Sequence, residues 1–526
     1  MELKINLYWL TSLMRFDLFG FLGARYKSIS NSDKLIYVGL FALGVFTFFF
    51  FVSHALMHNH GLRLPWIPAG DHMTSGRWFA PILAHFHYNA NVPILLPLLG
   101  IVMAIVTAET VLKSWKFELS PTAKFLVLAT IVTFPMVLSH YYYTFMTALF
   151  FVAWVFAAMA LYAAGTFKVH RILLGAVFVL LLMASYQSSI SILVTTAVAA
   201  AIAELLRRVD EEDQMAVAKS VAITASARVI ATVIGGGLYV ISLKILDIDP
   251  PRTIEYLSWH EIPERVFQLI TVSIQHLFVT TQPEFLTPLK VTLSVIVVAA
   301  VLTTLFQARR SIPALIGTLA LWPIMIIATK TIFFVVAQDS SLYEYRYNGS
   351  IGFVYAFSLA ILLLYFNRNV IGSIVRVATL FVVFSFVQAD MLRQLVLLRG
   401  QQHDLAFANR VLTRIESLPE LDTSQRYNLI RVGHMSYYRE HLFKSQGHNY
   451  DQRGDGHMDV GEISDQWVDE HVMRLLGSRI NFTGPRSGFY AEHQRVREEL
   501  LEGREPWPHP SSVFIHEDEI IVYMME

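Results

Sequence analysis

Long apolar segments separated by short polar connections occupy the first three quarters of the chain. Most of these segments have the roughly 17 to 25 apolar residues that a helix needs to cross the hydrocarbon layer of a bilayer. They are residues 35–57, 92–112, 125–138, 145–164, 172–185, 190–206, 221–246, 289–306, 312–336, 351–366 and 370–387. Two short ones, 125–138 and 172–185, could be bent units or a hairpin that does not fully cross. The pattern predicts an all-α polytopic membrane protein with about eleven transmembrane helices.

The positions of lysine and arginine predict how these helices are oriented, because cytoplasmic connections carry an excess of basic residues. With a cytoplasmic N-terminus, the even-numbered connections face inward and hold Lys113, Lys116, Lys124, Lys168, Arg171, Arg207, Arg208, Arg309, Arg310 and Arg368. The long polar connections 58–91 and 247–288 then lie outside, with the turns around Tyr142 and Tyr186 and the segment before Ile351. We therefore expect the chemistry at the outer surface.

The two ends of the chain differ in character from the apolar region at 35–390. Residues 1–34 mix aromatic, aliphatic and charged residues and lack the uninterrupted apolar run of a cleaved leader. They predict an amphipathic segment on the cytoplasmic face of a membrane. Residues 391–526 are rich in charged residues and contain no run long enough to span. Because the number of predicted spans is odd, these residues lie outside, and we expect them to form a small soluble α+β domain. The pattern predicts one helix in HDLAFANRVLTRIESLPEL, a second helix in DQWVDEHVMRLLGS and a hairpin in SSVFIHEDEIIVYM.

Composition supports a membrane protein and excludes several other classes. The 526 residues are 54% hydrophobic and only 16% charged, against roughly 25% charged in soluble domains. Lysine plus arginine equals aspartate plus glutamate, at 41 each, so no net field favours a nucleic-acid partner. The absence of cysteine excludes disulfides and thiol nucleophiles.

The first outer connection contains an acid and an arginine in the stretch AGDHMTSGRWFAP. Asp71 follows a stiff Pro-Trp-Ile-Pro run, and Gly76, Arg77 and Trp78 lead into the next helix. A carboxylate near a guanidinium could deprotonate an attacking hydroxyl while the arginine neutralises a phosphate leaving group. The alternative is an ordinary helix N-cap formed by Asp71 or Ser75. The residues alone leave both interpretations open.

Other outer residues could complete a binding site. Tyr186, Gln187 and Tyr142 could contact sugar hydroxyls, or the tyrosines could belong to an aromatic belt at the membrane interface. Arg346, within YEYRY, could bind a phosphate or form a weak exposed ion pair. Lys330 falls inside an apolar run, where a cation usually has a partner or a function unless it snorkels to the surface.

One segment of the tail has the spacing of a twelve-residue calcium loop. The candidate ligands are Asp451, Asp455, Asp459 and Glu462. Gly456 supplies the tight turn, but Arg453 occupies a position that normally holds an acid. A divalent cation, calcium, is thus the one cofactor the sequence suggests, and an Asp/Gly-rich turn is the alternative. The histidines around the first outer connection are spaced two apart and make poor chelators, so His72 is expected near phosphate instead.

Four stretches resemble the type II O-antigen glucosyltransferases, which are serotype-converting membrane enzymes of the GT-C type. The stretches are GDHMTSGRWFAPIL, SHYYYTF, LLMASYQSSISILV and WPHPSSVFIHEDEIIVYM. The resemblance implies a multi-pass enzyme of a bacterial inner membrane with a GT-C type fold and a periplasmic C-terminal domain. It maps the family's acid onto Asp71, its Gly-Arg pair onto Gly76 and Arg77, and its Tyr-Gln turn onto Tyr186. His72 stands where members usually have a second acid.

The resemblance further implies transfer of a sugar, glucose in the family, from polyprenyl phosphate to a cell-surface polysaccharide or lipid-linked glycan. The transfer would invert the anomeric configuration, with Asp71 as general base. The expected substrate and phosphate contacts are Arg77, Trp78, His72, Arg346, Lys330, Tyr186, Gln187 and Tyr142. A lipid-linked oligosaccharide flippase or transporter and an O-antigen polymerase or ligase are the alternatives. Transporters tend to have two related halves with midplane binding groups, whereas here the polar residues collect at one surface.

Overall fold

The computed structural model describes fourteen stretches of the chain. They are residues 29–54, 56, 75–86, 94–143, 146–248, 260, 262–279, 287–334, 347–367, 369–432, 473–474, 476–483, 495–496 and 499–524. The α-helices are α1 Asn31–Thr47, α2 Phe49–His54, α3 Phe79–Phe86, α4 Leu95–Trp115, α5 Pro121–Val132, α6 Leu138–Tyr142, α7 Thr147–Ala163, α8 Val169–Ser185, α9 Ile190–Arg207, α10 Gln214–Ile245, α11 Ile262–Ile274, α12 Thr287–Ala308, α13 Ile312–Ala328, α14 Ser350–Phe366 and α15 Val370–Glu416. The strands are β1 Arg426–Val432, β2 Asn481–Thr483, β3 Val513–His516 and β4 Glu519–Tyr523.

Each predicted apolar run contains a helix, but the lengths of these helices differ. Within the described residues, five helices are long and apolar enough to cross a membrane. They are Leu95–Trp115, Gln187–Arg207, Gln214–Ile245, Thr287–Ala308 and Val370–Arg399. A sixth candidate is the pair Pro121–Val132 and Pro135–Tyr142, which is bent by 42° and coincides with the short run 125–138. Four further apolar helices have at most 17 residues. The structure thus supports a polytopic helical protein with five or six full-length candidate spans, fewer than the predicted number.

Helix α14 forms the centre of the bundle. All its residues from 350 to 363 are buried, whereas only 22% of the apolar window of α10 is buried. Small residues allow close packing between apolar helices, and a Cβ on Gly352 would come within 2.7 Å of the Phe134 ring. Consequently α14 packs against α5, α9, α12 and α15, and α10 lies at the periphery.

Ion pairs join the basic connections at one end of the bundle. Lys116 Nζ lies 3.6 Å from Glu204 Oε2, which links the end of α4 to the end of α9. Lys124 Nζ lies 2.7 Å from Asp33 Oδ1, which links α5 to the first turn of α1. Further pairs are Lys113–Glu109, Lys124–Glu109, Arg207–Glu204, Arg208–Glu211 and Arg310–Asp210. The connections that carry Lys113, Lys116 and Lys124, Arg207 and Arg208, and Arg310 therefore meet at this end, which we call the basic end.

Gln394 of α15 stabilises the break between α1 and α2. Its side chain is fully buried and accepts hydrogen bonds from the backbone N–H groups of Phe50 at 3.2 Å and Phe51 at 3.4 Å. Its amide nitrogen donates to Thr47 O at 2.6 Å. A helix break frees backbone groups from their helical partners, and Gln394 pairs them again.

We expect Gln394→Met to lower the free energy of unfolding by about 2 kcal/mol, because methionine keeps the volume but leaves buried backbone groups unpaired. The measurement is the thermal midpoint of the detergent-purified protein. Gln402→Met, at an exposed position of the same helix, is the matched control and should leave the midpoint unchanged. Equal midpoints for Gln394→Met and the parent protein would contradict this role.

Helix α15 continues for 47 residues, without a break, past the predicted boundary at residue 390. It ends at Glu416, shortly before the proline that the sequence pattern predicts as its stop. Its last turns place Phe407 and Val411 in one hydrophobic cluster with Tyr427 and Ile520 of a four-stranded sheet. The strand order is β2-β1-β4-β3, with β1 parallel to both neighbours and β3–β4 antiparallel. The predicted C-terminal hairpin is confirmed.

Candidate functional site

The polar connections of the predicted outer side meet at the end of the bundle away from the basic end. Helix α9 connects the two ends of the bundle. Glu204, near its last turn, belongs to the basic end. Gln187, just before its start, contacts Ser75 at the other end. Eighteen helical residues separate two ends by about 27 Å. We call the second end the polar end.

A glycine turn is held against the bundle at the polar end. Gln187 Nε2 donates to Ser75 O at 3.1 Å and to Tyr239 Oη at 2.9 Å. Tyr239 Oη in turn donates to Gly76 O at 3.3 Å. Gly76 has φ of +73°, and a Cβ there would overlap Tyr239 Oη, so this position requires glycine. The Gly-Arg pair of the sequence is thus a tight turn fastened to α9 and α10.

The turn positions Arg77 over an aromatic ring. The guanidinium carbon of Arg77 lies 5.1 Å from the centroid of the buried Tyr186 ring, a cation–π geometry. Arg77 Nε is buried and has no hydrogen-bond partner among the described residues. Trp78 Nε1 donates to Ser242 Oγ of α10 at 2.9 Å and anchors the other side of the turn. Arg77 is therefore a fixed, half-buried cation with donor capacity for an anion.

An N-cap at Ser75 and an aromatic belt at Tyr142 and Tyr186 do not fit this arrangement. Helix α3 begins at Phe79, so Ser75 lies too far before it to act as its cap. Tyr142 and Tyr186 are 3% and 2% exposed, whereas belt residues face the lipid interface. Tyr142 packs edge-to-face on Tyr143, with ring centroids 5.9 Å apart. Tyr186 and Gln187 are thus brought to the Arg77 turn, and no described contact joins Tyr142 to it.

Lys330 lies inside the protein and does not snorkel. The side chain has no exposed surface, and its Nζ lies 2.9 Å from His276 Nδ1 and donates to Asn348 Oδ1. These contacts join the turn after α13 to the segment after α11 and to the start of α14. Lys330 therefore has partners inside the protein, and its role as a substrate or phosphate contact stays a prediction.

A small polar pocket lies between the Tyr186 and Lys330 regions. Its lining residues come from α6, α7 and the starts of α9 and α14, and they are His140, Trp154, Ser188, Ser189, Ser191, Ile192, Tyr347, Gly349 and Ser350. The ring of His140 is 6.1 Å from that of Tyr186, and Asn348, which Lys330 contacts, stands between two of the lining residues. Sequence reasoning missed this pocket because serines at the start of an apolar helix have many ordinary roles. The SSIS run after the Tyr-Gln turn was the available signal.

Several predicted site residues lie outside the described residues. They are Asp71, His72, Arg346, Asp451, Asp455, Asp459 and Glu462. In the described part of the chain, no three histidine or acidic side chains gather as metal ligands would. The general base and the calcium loop therefore stay predictions.

Fold and site together define a class: a membrane protein of many helices with a fixed arginine, aromatic rings and a hydroxyl-lined pocket at one end of the bundle. Comparison with protein families identifies the family. The model of the family Glucosyl transferase GtrII matches residues 66–357, more than half of the chain, and the chain belongs to this family. Membership implies a glucosyltransferase, which confirms the family predicted from the four motifs. No curated protein and no solved structure matches the chain.

Proposed function

We propose that the protein transfers a glucosyl group from polyprenyl phosphate to a hydroxyl of a cell-surface glycan such as O-antigen, at the periplasmic face of a bacterial inner membrane. The observation that carries the proposal is the Arg77 turn. Within the family-matched region, Gln187 and Tyr239 fasten this turn to the bundle and leave a half-buried guanidinium without a carboxylate partner among the described residues.

The proposed reaction is a single displacement. Asp71, six residues before Arg77 in the sequence, removes the proton of the acceptor hydroxyl, and the hydroxyl oxygen attacks the anomeric carbon of the donor. The bond from that carbon to the phosphate oxygen breaks, and the phosphate leaves with the electron pair. One displacement inverts the anomeric configuration. A positioned general base contributes about 10²- to 10⁴-fold to such a step.

Arg77 is suited to the leaving phosphate. A guanidinium presents a planar fork of donors that matches phosphate oxygens, and the Tyr186 ring beneath it limits its rotation. The surrounding protein has a lower effective dielectric than water, so each charge interaction with the phosphate is stronger than in solution. A cation that is in place before the reaction stabilises developing charge without reorganisation.

The arrangement of the helices supports the proposed sidedness. Basic connections favour the cytoplasm, and the ion pairs collect these connections at the basic end. The Arg77 turn is at the polar end, which then faces the periplasm. Helix α15 begins at Val370, after a connection that is predicted to face the cytoplasm. Further along α15, Gln394 contacts the α1–α2 break. This break is at the other end of α1 from Asp33, which belongs to the basic end. We infer that residues beyond 391 emerge on the periplasmic side.

The test is transfer by the purified protein in detergent, without any sealed compartment. With polyprenyl-phosphate glucose and lipopolysaccharide as acceptor, we expect a glucosylated product detected by mass spectrometry. UDP-glucose in place of the lipid donor should yield none. A flippase makes no product in detergent, and a polymerase or ligase requires a lipid-linked oligosaccharide donor, so either pattern would contradict the proposal.

A further inference from the structure

Two helix N-termini converge on the pocket of the polar end. Helix α9 begins beside Ser188 and Ser189, and α14 begins after Gly349. Neither N-cap residue, Ser189 nor Gly349, makes a side-chain capping bond. The first N–H groups of a helix lack acceptors within the helix and carry partial positive charge. Here the N–H groups of Ile190, Ile351 and Gly352 already donate to carbonyls of the preceding turns, so the two helix ends contribute partial positive charge to the pocket and no free donors.

Two hydroxyl groups in the pocket point to a ligand. The Oγ atoms of Ser188 and Ser189 are buried without a hydrogen-bond partner among the described residues, and the two residues are 7% and 2% exposed. Their neighbours differ, because Ser191 Oγ accepts the Ile332 N–H at 3.2 Å and Ser350 Oγ donates to Thr329 O at 3.0 Å. A buried unpaired hydroxyl destabilises the folded protein, and a bound acceptor would remove that cost.

Charge and size define the ligand group. No carboxylate is found among the described residues that line the pocket. Two basic side chains lie near the pocket. Lys330 contacts Asn348, and the chain neighbours of Asn348 line the pocket. Arg77 lies over the ring of Tyr186, and that ring contacts the lining residue His140. The space is about 10 Å³, roughly the room that one water-sized group needs. This room accommodates one anionic oxygen.

We propose that this pocket binds a non-bridging oxygen of a phosphate group. Ser188 and Ser189 donate to that oxygen, and the ends of α9 and α14 favour its negative charge. The assignment of this phosphate to the lipid donor rests on the proposed function.

The test compares phosphate binding by the full chain and the double variant Ser188→Ala/Ser189→Ala, in detergent, by calorimetry. The probes are farnesyl phosphate and inorganic phosphate. We expect the variant to bind farnesyl phosphate about 10- to 100-fold more weakly, since hydrogen bonds to a charged group are lost. Its thermal midpoint without ligand should not fall, because the removed hydroxyls had no described partners. Ser358→Ala is the matched control, because this buried hydroxyl in α14 already donates to Val354 O at 2.8 Å.

The outcomes separate this inference from the proposed function. Weaker binding in the double variant supports the pocket. Tighter binding of farnesyl phosphate than of inorganic phosphate then identifies a lipid headgroup, and equal binding identifies free phosphate. Unchanged affinity for both probes overturns the pocket. If the parent protein makes no product but its phosphate binding depends on the two serines, the proposed function fails while the pocket stands.

Discussion

The variant Asp71→Asn is expected to lose glucosyl transfer by about 10³-fold while it remains folded and inserted. The amide keeps the size and polarity of the side chain but cannot accept the proton of the acceptor hydroxyl, and a general base of this kind contributes about 10²- to 10⁴-fold. The measurement is the initial rate of product formation from polyprenyl-phosphate glucose in detergent. The thermal midpoint and the elution volume of the variant should equal those of the parent protein.

Asp210→Asn is the matched control for this variant. Asp210 lies at the basic end, where its exposed carboxylate is 3.0 Å from Arg310, and exposed pairs contribute at most about 1 kcal/mol. We expect the same substitution there to leave the rate unchanged. Transfer by Asp71→Asn at more than about a tenth of the parent rate would exclude Asp71 as the general base, given the size of that contribution.

The variant Gly76→Ala is expected to lower the transfer rate by about 100-fold through the position of Arg77. An alanine at φ of +73° carries about 1 to 2 kcal/mol of backbone strain. Its Cβ also displaces Tyr239 Oη, which weakens the bonds of that hydroxyl to Gln187 and Gly76. A shift of about 1 Å in a substrate-positioning group can cost about 10²-fold in rate.

Two further variants give this prediction a control and a rescue. Gly236→Ala lies within α10, where an added Cβ has no neighbour within 4 Å, and it should keep the rate and raise stability by up to about 1 kcal/mol. Tyr239→Phe removes the hydroxyl that the alanine displaces. The double variant Gly76→Ala/Tyr239→Phe should therefore be less impaired than the sum of the two single effects, because the two sites are in contact. Strictly additive losses would contradict the proposed overlap.

Part of the site could be recognised in the sequence because its residues are close together in the chain. The Gly-Arg pair and the Tyr-Gln turn were visible as motifs, and the structure joins them through Gln187 and Ser75. The contribution of Tyr239 could not be recognised, because it lies 163 residues from Gly76 in the middle of an apolar run. Nothing in such a run shows which face of the helix meets a neighbour. The pocket was hidden for the same reason, since its walls come from distant parts of the chain, in α6, α7 and the starts of α9 and α14.

The sequence by itself determined where the helices lie and which connections belong together. A backbone in lipid must satisfy its hydrogen bonds within each segment, so an apolar run of sufficient length becomes a helix. The basic residues of the connections predicted a common end, and the ion pairs of Lys116 and Arg310 show it. The family was likewise recognisable from short motifs and is confirmed over 66–357.

Only the tertiary structure decided which apolar helix is central and which residues meet at the polar end. Helices α10 and α14 both contain a long apolar stretch, yet α14 is buried and the apolar stretch of α10 is largely exposed. Among lipid tails there is no hydrophobic force to distinguish the faces of such helices, so close packing at small residues such as Gly352 selects the centre. That packing aligns the starts of α9 and α14 and thereby creates the phosphate pocket that we propose.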